Sequence, residues 1–144
     1  MPTMSEQRQG LNELSRDECM ELLSTVPVGR MGCTIDFRPM IFPVNFALFE
    51  GSILIRSVPG TKFDKAVSGV VTAFEADGYS EDGAAGWSVM VHGIAQEITD
   101  PDEVSRAEAV DLPTYALPNA PKRLLKLSTT NVTGRQFGYS ADEN

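Results

Sequence analysis

Short runs of alternating apolar residues recur along the whole chain, and the stretches between them leave no room for long crossover helices. In the longest run, from Trp87 to Ile98, valines alternate with polar or small residues, which is typical of a half-buried strand. A parallel β-α-β arrangement needs crossover connections of a dozen or more residues, usually helical. The sequence therefore predicts a mainly β protein, a small antiparallel barrel of about six strands with short α-helical covers.

Three short helices are predicted. Ser15 and Glu18 have the spacing of a capping box, and an apolar stripe follows as far as Pro27, which ends the helix. Two more helices are predicted over residues 63–67 and residues 101–110. All three are too short to be a core by themselves, so we expect them to cover the barrel.

The predicted strands are separated by turns rich in glycine, aspartate and proline. A hairpin is predicted from Met40–Leu48 and Ile53–Ile55 around the turn at Glu50–Gly51, since glycine tolerates a positive φ. The remaining strands are predicted over residues 28–35, 70–76, 87–98, 124–127 and 132–137, and loops over residues 77–86 and 111–123.

The chain has 144 residues, enough for one domain with its own core. We expect that domain to span residues 13–139, between a loose N-terminal arm of residues 1–12 and a frayed acidic tail of residues 140–144. The first ten residues are polar and show no signal peptide, and no apolar run is long enough to cross a membrane. We therefore expect a soluble, cytoplasmic protein.

Composition excludes several classes of partner and site. The formal net charge is −8 and no basic run offsets it, so we expect no nucleic acid partner. Cys19 and Cys33 lack the spacing of a paired motif and are expected to be free buried thiols, with a disulfide as the alternative. Since His92 is the only histidine, a histidine-based zinc site cannot form, and we expect no metal.

Anion-binding groups are concentrated directly after the predicted hairpin. Arg56, Ser57, Gly60, Thr61 and Lys62 place two cations, two hydroxyls and a flexible backbone within seven residues, a set that suits a phosphate. The helix predicted to follow would add N–H groups at its first turn. The alternative is a solvated strand end whose charges contact nothing. We favour phosphate binding.

Other polar residues allow two interpretations each. Asn45 is disfavoured in mid-strand, so its side chain either satisfies a buried backbone group or faces a ligand. Trp87 either fills the core or lies with Ser88 at the mouth of the barrel against a planar ligand. Arg30 and Arg135 either form ion pairs or clamp a ligand, and the sequence does not decide between these roles.

Acid–base and nucleophilic machinery is sparse. Glu75 and Asp77 could form a carboxylate pair, although turn chemistry at a strand end explains them more simply. We expect His92 to face outward or to lie at an interface, since no nucleophile with a supporting acid accompanies it. Such a protein needs a cofactor to carry its chemistry.

The order and spacing of six segments resemble one known family. These segments are ECMELLSTVPVGRMG, PVNFAL, ILIRSVPGTKFDKA, VTAFEAD, GWSVMVHGIAQEI and VTGRQF. They are similar to the pyridoxamine 5′-phosphate oxidase-like family of flavin-binding split barrels, and in particular to its short actinobacterial-type branch, which also resembles nitroimidazole-resistance proteins. The resemblance covers most of residues 15–137.

This resemblance implies a split β-barrel of the FMN-binding type, a homodimer, and FMN held in two equivalent clefts at the dimer interface. Three residues would pass along the isoalloxazine ring, namely Pro43, Val44 and Asn45. Ser88, with Trp87 beside it, occupies a strand position from which family members reach the flavin. Arg135 would enter from near the C-terminus and across the dimer.

The resemblance also assigns a ligand to the anion-binding groups of residues 56–62, which we call the phosphate cluster. Ser57, Thr61 and Lys62 would hold the FMN phosphate, with Arg56 at its margin. The implied activity is that of an FMN-dependent oxidoreductase acting on a small organic molecule. The chain ends in GRQFGYSADEN rather than in a basic, aromatic segment, so oxidation of a vitamin B6 phosphate is not expected. The alternatives are a reductase that uses the deazaflavin F420, or a non-catalytic protein that binds flavin or haem.

Overall fold

Nine strands and three helices form within residues 11–113 and 119–138, the part of the chain that the computed structural model describes. The helices are α1 (Arg16–Leu23), α2 (Lys62–Val67) and α3 (Pro101–Glu108). The strands are β1 (Asn12–Glu13), β2 (Val28–Ile35), β3 (Arg38–Asn45), β4 (Ala47–Phe49), β5 (Ser52–Ser57), β6 (Val71–Tyr79), β7 (Gly86–Glu97), β8 (Arg123–Leu127) and β9 (Asn131–Phe137). None of the described helices is long and apolar enough to span a bilayer.

The predicted capping box of α1 is confirmed. The Glu18 N–H donates to the Ser15 hydroxyl at 3.2 Å, and the Ser15 N–H donates to the Glu18 carboxylate at 3.0 Å. The helix ends at Leu23, earlier than predicted. The reason is local, because the hydroxyls of Ser24 and Thr25 donate to carbonyl oxygens of the last turn at 2.5 and 2.6 Å. These bonds satisfy carbonyls that a longer helix would have used.

All strand pairs are antiparallel, in the order β3-β2-β6-β7-β8-β5-β4, with β9 on β7 and β1 on β9. The predicted mainly β class is therefore confirmed, with nine described strands rather than about six. Strand β7 organises the sheet, because one of its edges pairs with β6 while the other pairs first with β9 and then with β8. Such a change of partner within one long strand requires the sheet to curl.

The predicted hairpin of Met40–Leu48 with Ile53–Ile55 is corrected by the structure. Strand β3 pairs with β2 through a two-residue turn, and only β4 pairs with β5 around Glu50–Gly51. The break falls at Phe46, whose N–H donates to the Pro27 carbonyl at 3.2 Å instead of continuing a ladder. One apolar run therefore supplies two strands with different partners.

Other boundaries also differ from the predictions. Asp77–Tyr79, predicted as loop, extends β6 and pairs with the start of β7, while Asn12–Glu13 of the predicted arm pairs with β9. Lys126 of β8 lies under α3 and donates to Glu103 at 2.7 Å. Most of the predicted arm, the acidic tail and residues 114–118 of the predicted loop 111–123 lie outside the described residues.

The barrel does not close. Strands β3 and β4 are the two ends of the strand order, and no hydrogen-bonded ladder joins β3 to β5 among the described strands. Strand β3 therefore has one open edge, and a gap separates it from the end of β5. This arrangement is a split barrel.

The interior of the barrel is apolar and tightly packed. Phe74 is fully buried, and its ring lies edge-on to Phe46 with 4.8 Å between ring centroids. Gly29 permits this packing, because a Cβ at that position would lie 2.4 Å from the Phe74 ring. Helix α1 covers one end with Cys19, and a smaller apolar cluster around Leu54 lies under α3.

Candidate functional site

A cleft of about 300 Å³ lies in the gap between β3 and β5. Its lining comes from β3, the end of β5, the start of α2 and one residue after α3, namely Phe42, Pro43, Val44, Asn45, Arg56, Ser57, Val58, Thr61, Phe63 and Pro113. Six of the ten predicted cofactor residues line it. A mostly apolar cleft with a few polar groups is the usual form of a small-molecule site.

The side chain of Asn45 brings an unsatisfied acceptor to this cleft. Its Oδ1 is buried and has no hydrogen-bond partner, whereas its Nδ2 makes only a long contact of 3.5 Å with the Pro27 carbonyl. A buried amide oxygen without a donor is costly. A ligand N–H would remove that cost, which favours the ligand-facing interpretation of Asn45.

The apolar wall of the cleft is built from two aromatic rings. Phe42 of β3 and Phe63 of α2 pack edge to face, with 5.4 Å between ring centroids. Sequence reasoning missed Phe63 as a site residue. Its position directly after Lys62 was the available signal, since a side chain beside the phosphate cluster also lies beside the cleft.

Arg56 is among the residues that line the cleft. One of its guanidinium nitrogens donates to the Leu112 carbonyl, and the structure gives its other donors no partner among the described residues. A guanidinium has five N–H donors in a planar fork. Arg56 can therefore keep its structural bond and still bind an anion.

The anion-binding groups at the start of α2 are already occupied by a carboxylate of the chain. Asp64 is 4% exposed and accepts from the Ser57 hydroxyl at 2.8 Å, from the Gly60 N–H at 3.1 Å and from Arg123 at 2.8 Å. Burial alone would raise the pKa of Asp64, but these donors more than offset it and the pKa lies below its usual value. Asp64 stands where the sequence predicted a phosphate.

The hydroxyls of the predicted phosphate cluster are therefore engaged. The Ser57 hydroxyl donates to Asp64. The Thr61 hydroxyl donates to the Val58 carbonyl at 2.9 Å. The same hydroxyl caps α2, because it accepts from the Asp64 N–H at 3.1 Å. Lys62, in contrast, is exposed and makes no hydrogen bond or ion pair with another described residue. Lys62 and Arg56 are the groups of the cluster that remain free to bind a phosphate.

Ser88 and Arg135 do not reach this cleft within one chain. They pair directly across β7 and β9, on the outer face of the sheet. Three strand spacings along the sheet separate β7 from β3, and neither Ser88 nor Arg135 is among the described residues that line the cleft. Trp87 points the other way, into the barrel, where it is 8% exposed and packs against Gly78. The core-filling interpretation of Trp87 fits this position.

The outer face of the sheet carries a compact group of charges. Arg30 lies 3.6 Å from Glu75 and 3.8 Å from Asp77, so the carboxylate pair noted in the sequence does form. Burial, reinforced by the adjacent Asp77 and opposed by Arg30, raises the pKa of Glu75 to about 7. One oxygen of Glu75 is buried without a hydrogen bond. His92 is exposed on the same face, as predicted.

Comparisons with known proteins identify relatives of this fold. The family model of pyridoxamine 5′-phosphate oxidase matches residues 15–136. An uncharacterized protein of Mycobacterium tuberculosis is 41% identical over 99 residues, which cover 65% of this chain and 65% of that protein. This chain therefore spans just under two thirds of the length of that curated relative.

Two solved structures extend the comparison. The FAD binding protein from Mycobacterium smegmatis is 34% identical, with a TM-score of 0.76 over 88% of this chain and 98% of that chain. A candidate 5-nitroimidazole antibiotic resistance protein from Bacteroides thetaiotaomicron is 16% identical, with a TM-score of 0.64 over 90% of each chain. At that identity the likeness concerns the fold alone.

Proposed function

Because the chain belongs to the pyridoxamine 5′-phosphate oxidase family, we propose that it is a flavoprotein, an oxidoreductase that binds its flavin in the cleft between β3 and β5. The observation that carries the proposal is the buried Asn45 Oδ1 without a donor, in a mostly apolar cleft. An isoalloxazine ring is a planar apolar body whose pyrimidine edge carries an N–H group. The solved relative of 34% identity is itself a flavin-binding protein.

The residues present fit such a ring. Phe42 and Phe63 offer an apolar wall, while Pro43 and Asn45 on the open edge of β3 offer polar backbone groups to the ring edge. Bound flavin would supply the redox chemistry, and these residues would position the ring and shield it from water. Substrate would be a small organic molecule that stacks on the exposed side of the ring.

We propose FMN as the minimal ligand, with its phosphate at Lys62 and Arg56. Both cations have donors to spare, whereas Ser57 and Thr61 would first have to give up their bonds to Asp64 and Val58. Their predicted role in holding the phosphate therefore depends on a rearrangement at the start of α2.

A homodimer formed through the outer face of the sheet is part of the proposal. The pairing of β2, β3, β6 and β7 puts several large exposed apolar side chains on that face, namely Ile41, Val71, Tyr79, Met90 and Ile94. An exposed apolar patch of this kind is typical of a protein interface. A second copy docked there would offer its own Ser88 and Arg135 to the cleft.

Light scattering after gel filtration tests the dimer. Val71→Lys is expected to shift the protein from dimer to monomer, since it buries a charge in the interface. Phe37→Lys is the matched control, because Phe37 is fully exposed at the turn between β2 and β3 and should leave the dimer intact. If the native chain elutes as a monomer at every concentration, the proposed homodimer is contradicted.

The absorption spectrum tests the cofactor. We expect purified protein to be yellow with two flavin bands, or to take up added FMN. Lys62→Ala should lower the affinity for FMN roughly tenfold and leave the affinity for riboflavin unchanged, since only FMN carries the phosphate. Lys65→Ala removes an equal charge from the next turn of α2 and serves as the control. Equal losses of affinity for FMN and riboflavin would contradict the proposal that Lys62 binds the phosphate. A Soret band in the absorption spectrum would favour haem as the cofactor.

A non-catalytic flavin carrier is the second candidate. Among the described lining residues of the cleft there is no carboxylate, imidazole or thiol that could exchange a proton with a substrate. Rapid mixing of the flavin-loaded protein with reduced nicotinamide nucleotides under anaerobic conditions distinguishes the oxidoreductase from the carrier. Bleaching of the flavin within seconds supports the oxidoreductase, and a flavin that stays oxidised supports the carrier.

A further inference from the structure

The two hydroxyl groups that line the cleft both donate their protons to the chain itself. Ser57 donates to the buried carboxylate of Asp64 at 2.8 Å, and an ionised carboxylate can only accept. Thr61 donates to the Val58 carbonyl at 2.9 Å. Since a hydroxyl has a single proton, both groups can offer only lone pairs to a ligand. This part of the wall is therefore a hydrogen-bond acceptor.

The position of Asp64 follows from the register of the sheet. Ser57 and Arg123 are direct partners across β5 and β8, so their side chains lie next to each other on one face. The Asp64 carboxylate of α2 contacts both, at 2.8 Å from the Ser57 hydroxyl and 2.8 Å from a guanidinium nitrogen of Arg123. It also accepts from the Gly60 N–H at 3.1 Å. Asp64 thus engages three donors that an anion in the cleft would need.

The charge around Ser57 also disfavours a phosphate. Arg123 is shared between Asp64 and Glu97, which lies 3.3 Å away, so two carboxylates surround one guanidinium. A phosphate placed beside Ser57 would be repelled by the excess negative charge and by the lone pairs of the hydroxyl. An uncharged ligand hydroxyl carries no such penalty and can donate to Ser57.

We infer that Asp64 is a specificity-determining residue of the cleft, because by engaging the Ser57 proton it favours a ligand segment with uncharged hydroxyls and disfavours a phosphate at this position. The inference rests on the proposed binding of flavin in the cleft, since the polyol chain of a flavin is such a segment. It leaves the phosphate of FMN to Lys62 and Arg56, beyond the polyol chain.

Titration calorimetry of the full chain with riboflavin and FMN tests the role of Asp64. Asp64→Asn removes the charge and keeps one acceptor oxygen. It should raise the ratio of the FMN affinity to the riboflavin affinity at least about fivefold, because Ser57 and Arg123 can then donate to a phosphate. A general loss of structure would lower both affinities and would not raise this ratio.

Glu97→Gln is the matched control. It removes the same charge from the same guanidinium and leaves the bonds of Asp64 to Ser57 and Gly60 in place. We expect it to change the affinity ratio by less than about twofold. A rise equal to that of Asp64→Asn would show that the charge beside Arg123, and not the engagement of Ser57, sets the preference, and would overturn the inference.

Ser57→Ala tests the inference without altering Asp64. In the native chain the Ser57 hydroxyl is expected to accept from the polyol chain, which riboflavin and FMN share. Ser57→Ala should therefore lower both affinities by the same factor, about two- to fivefold. A loss confined to FMN would show that Ser57 donates to the phosphate and would contradict the role of Asp64.

Failure of this inference can be told apart from failure of the proposed function. If riboflavin and FMN bind and Asp64→Asn leaves the ratio of their affinities unchanged, the role of Asp64 is wrong and the flavin proposal stands. If neither flavin binds to the native chain, both fall together.

Discussion

One guanidinium nitrogen of Arg123 lies 2.8 Å from one carboxylate oxygen of Asp64 and 2.9 Å from the other. The two residues are separated by 59 positions in the sequence, so this ion pair joins α2 to β8. The Asp64 side chain is 6% exposed and that of Arg123 is 26% exposed. The pair therefore fixes the start of α2, and with it one wall of the cleft between β3 and β5, to the neighbouring strand β8, in which Arg123 lies opposite Ser57.

Replacing Asp64 tests the strength of this connection. Asp64→Ala leaves the buried Ser57 hydroxyl without its acceptor and leaves Arg123 with Glu97 as its remaining carboxylate partner, and such losses cost about 3 kcal/mol of the free energy of unfolding. Urea denaturation measures this. The control is Glu50→Gln, which breaks an exposed pair with Arg106 and should leave the unfolding midpoint unchanged. Equal effects of the two variants would contradict a structural role for Asp64.

The depressed pKa of Asp64 also predicts behaviour in acid. Since the folded state holds the carboxylate ionised at pH values where the unfolded chain has bound a proton, this group stabilises the fold above its ordinary pKa of 3.8. That contribution is lost as the pH falls below about 4 and through the folded pKa. We expect Asp64→Asn to unfold with a flatter dependence on pH than the native chain between pH 4 and pH 2, as followed by circular dichroism.

Glu75 has the opposite effect near neutral pH, because its contribution to stability falls as the pH rises. Its pKa is raised from 4.5 to about 7, so the folded state retains a proton that the unfolded chain has already released. The associated stability is complete at low pH and is lost as the pH rises through 7. From pH 5 to pH 8 the free energy of unfolding should fall by on the order of 2 kcal/mol from this group. Glu75→Gln should abolish that fall. A Glu75→Gln curve parallel to that of the native chain would show that other groups cause it.

Two glycines of β2 provide a matched pair for packing. A Cβ at Gly29 would lie 2.4 Å from the Phe74 ring, whereas at Gly32 the nearest atom is 3.7 Å away. Gly29→Ala should therefore lower the free energy of unfolding by about 1–3 kcal/mol through overpacking. Gly32→Ala should change it by less than about 0.5 kcal/mol. Denaturant titration of both variants measures these changes. Similar losses in the free energy of unfolding would mean that the Phe74 ring moves aside freely.

Thiol chemistry tests the prediction of free, buried cysteines. Cys19 and Cys33 are both unpaired and buried, and burial raises the pKa of each thiol. We expect an aromatic disulfide reagent to modify neither thiol rapidly in the folded protein and both thiols in urea. Rapid modification of two thiols without denaturant would contradict the packing of α1 against the barrel.

Local signals in the sequence predicted most of the elements and half of the candidate site. The capping box at Ser15 and the uninterrupted run of β7 are patterns of neighbouring residues, and both formed as expected. The break at Phe46 was not predictable, because it depends on the Pro27 carbonyl. The role of Asp64 depends on Arg123, far away in sequence, so the phosphate cluster could not show that its donors were already engaged.

The open edge of β3 has a consequence for the behaviour of the protein at high concentration. In the two-residue hairpin that joins β2 to β3, Ile35 and Arg38 form the pair next to the turn, so alternate residues from position 39 direct their backbone groups away from β2. Pro39 and Pro43 occupy two of these positions and carry no N–H. A foreign strand would therefore find half of the usual donors missing at this edge, and the split that admits a ligand is protected against edge-to-edge aggregation.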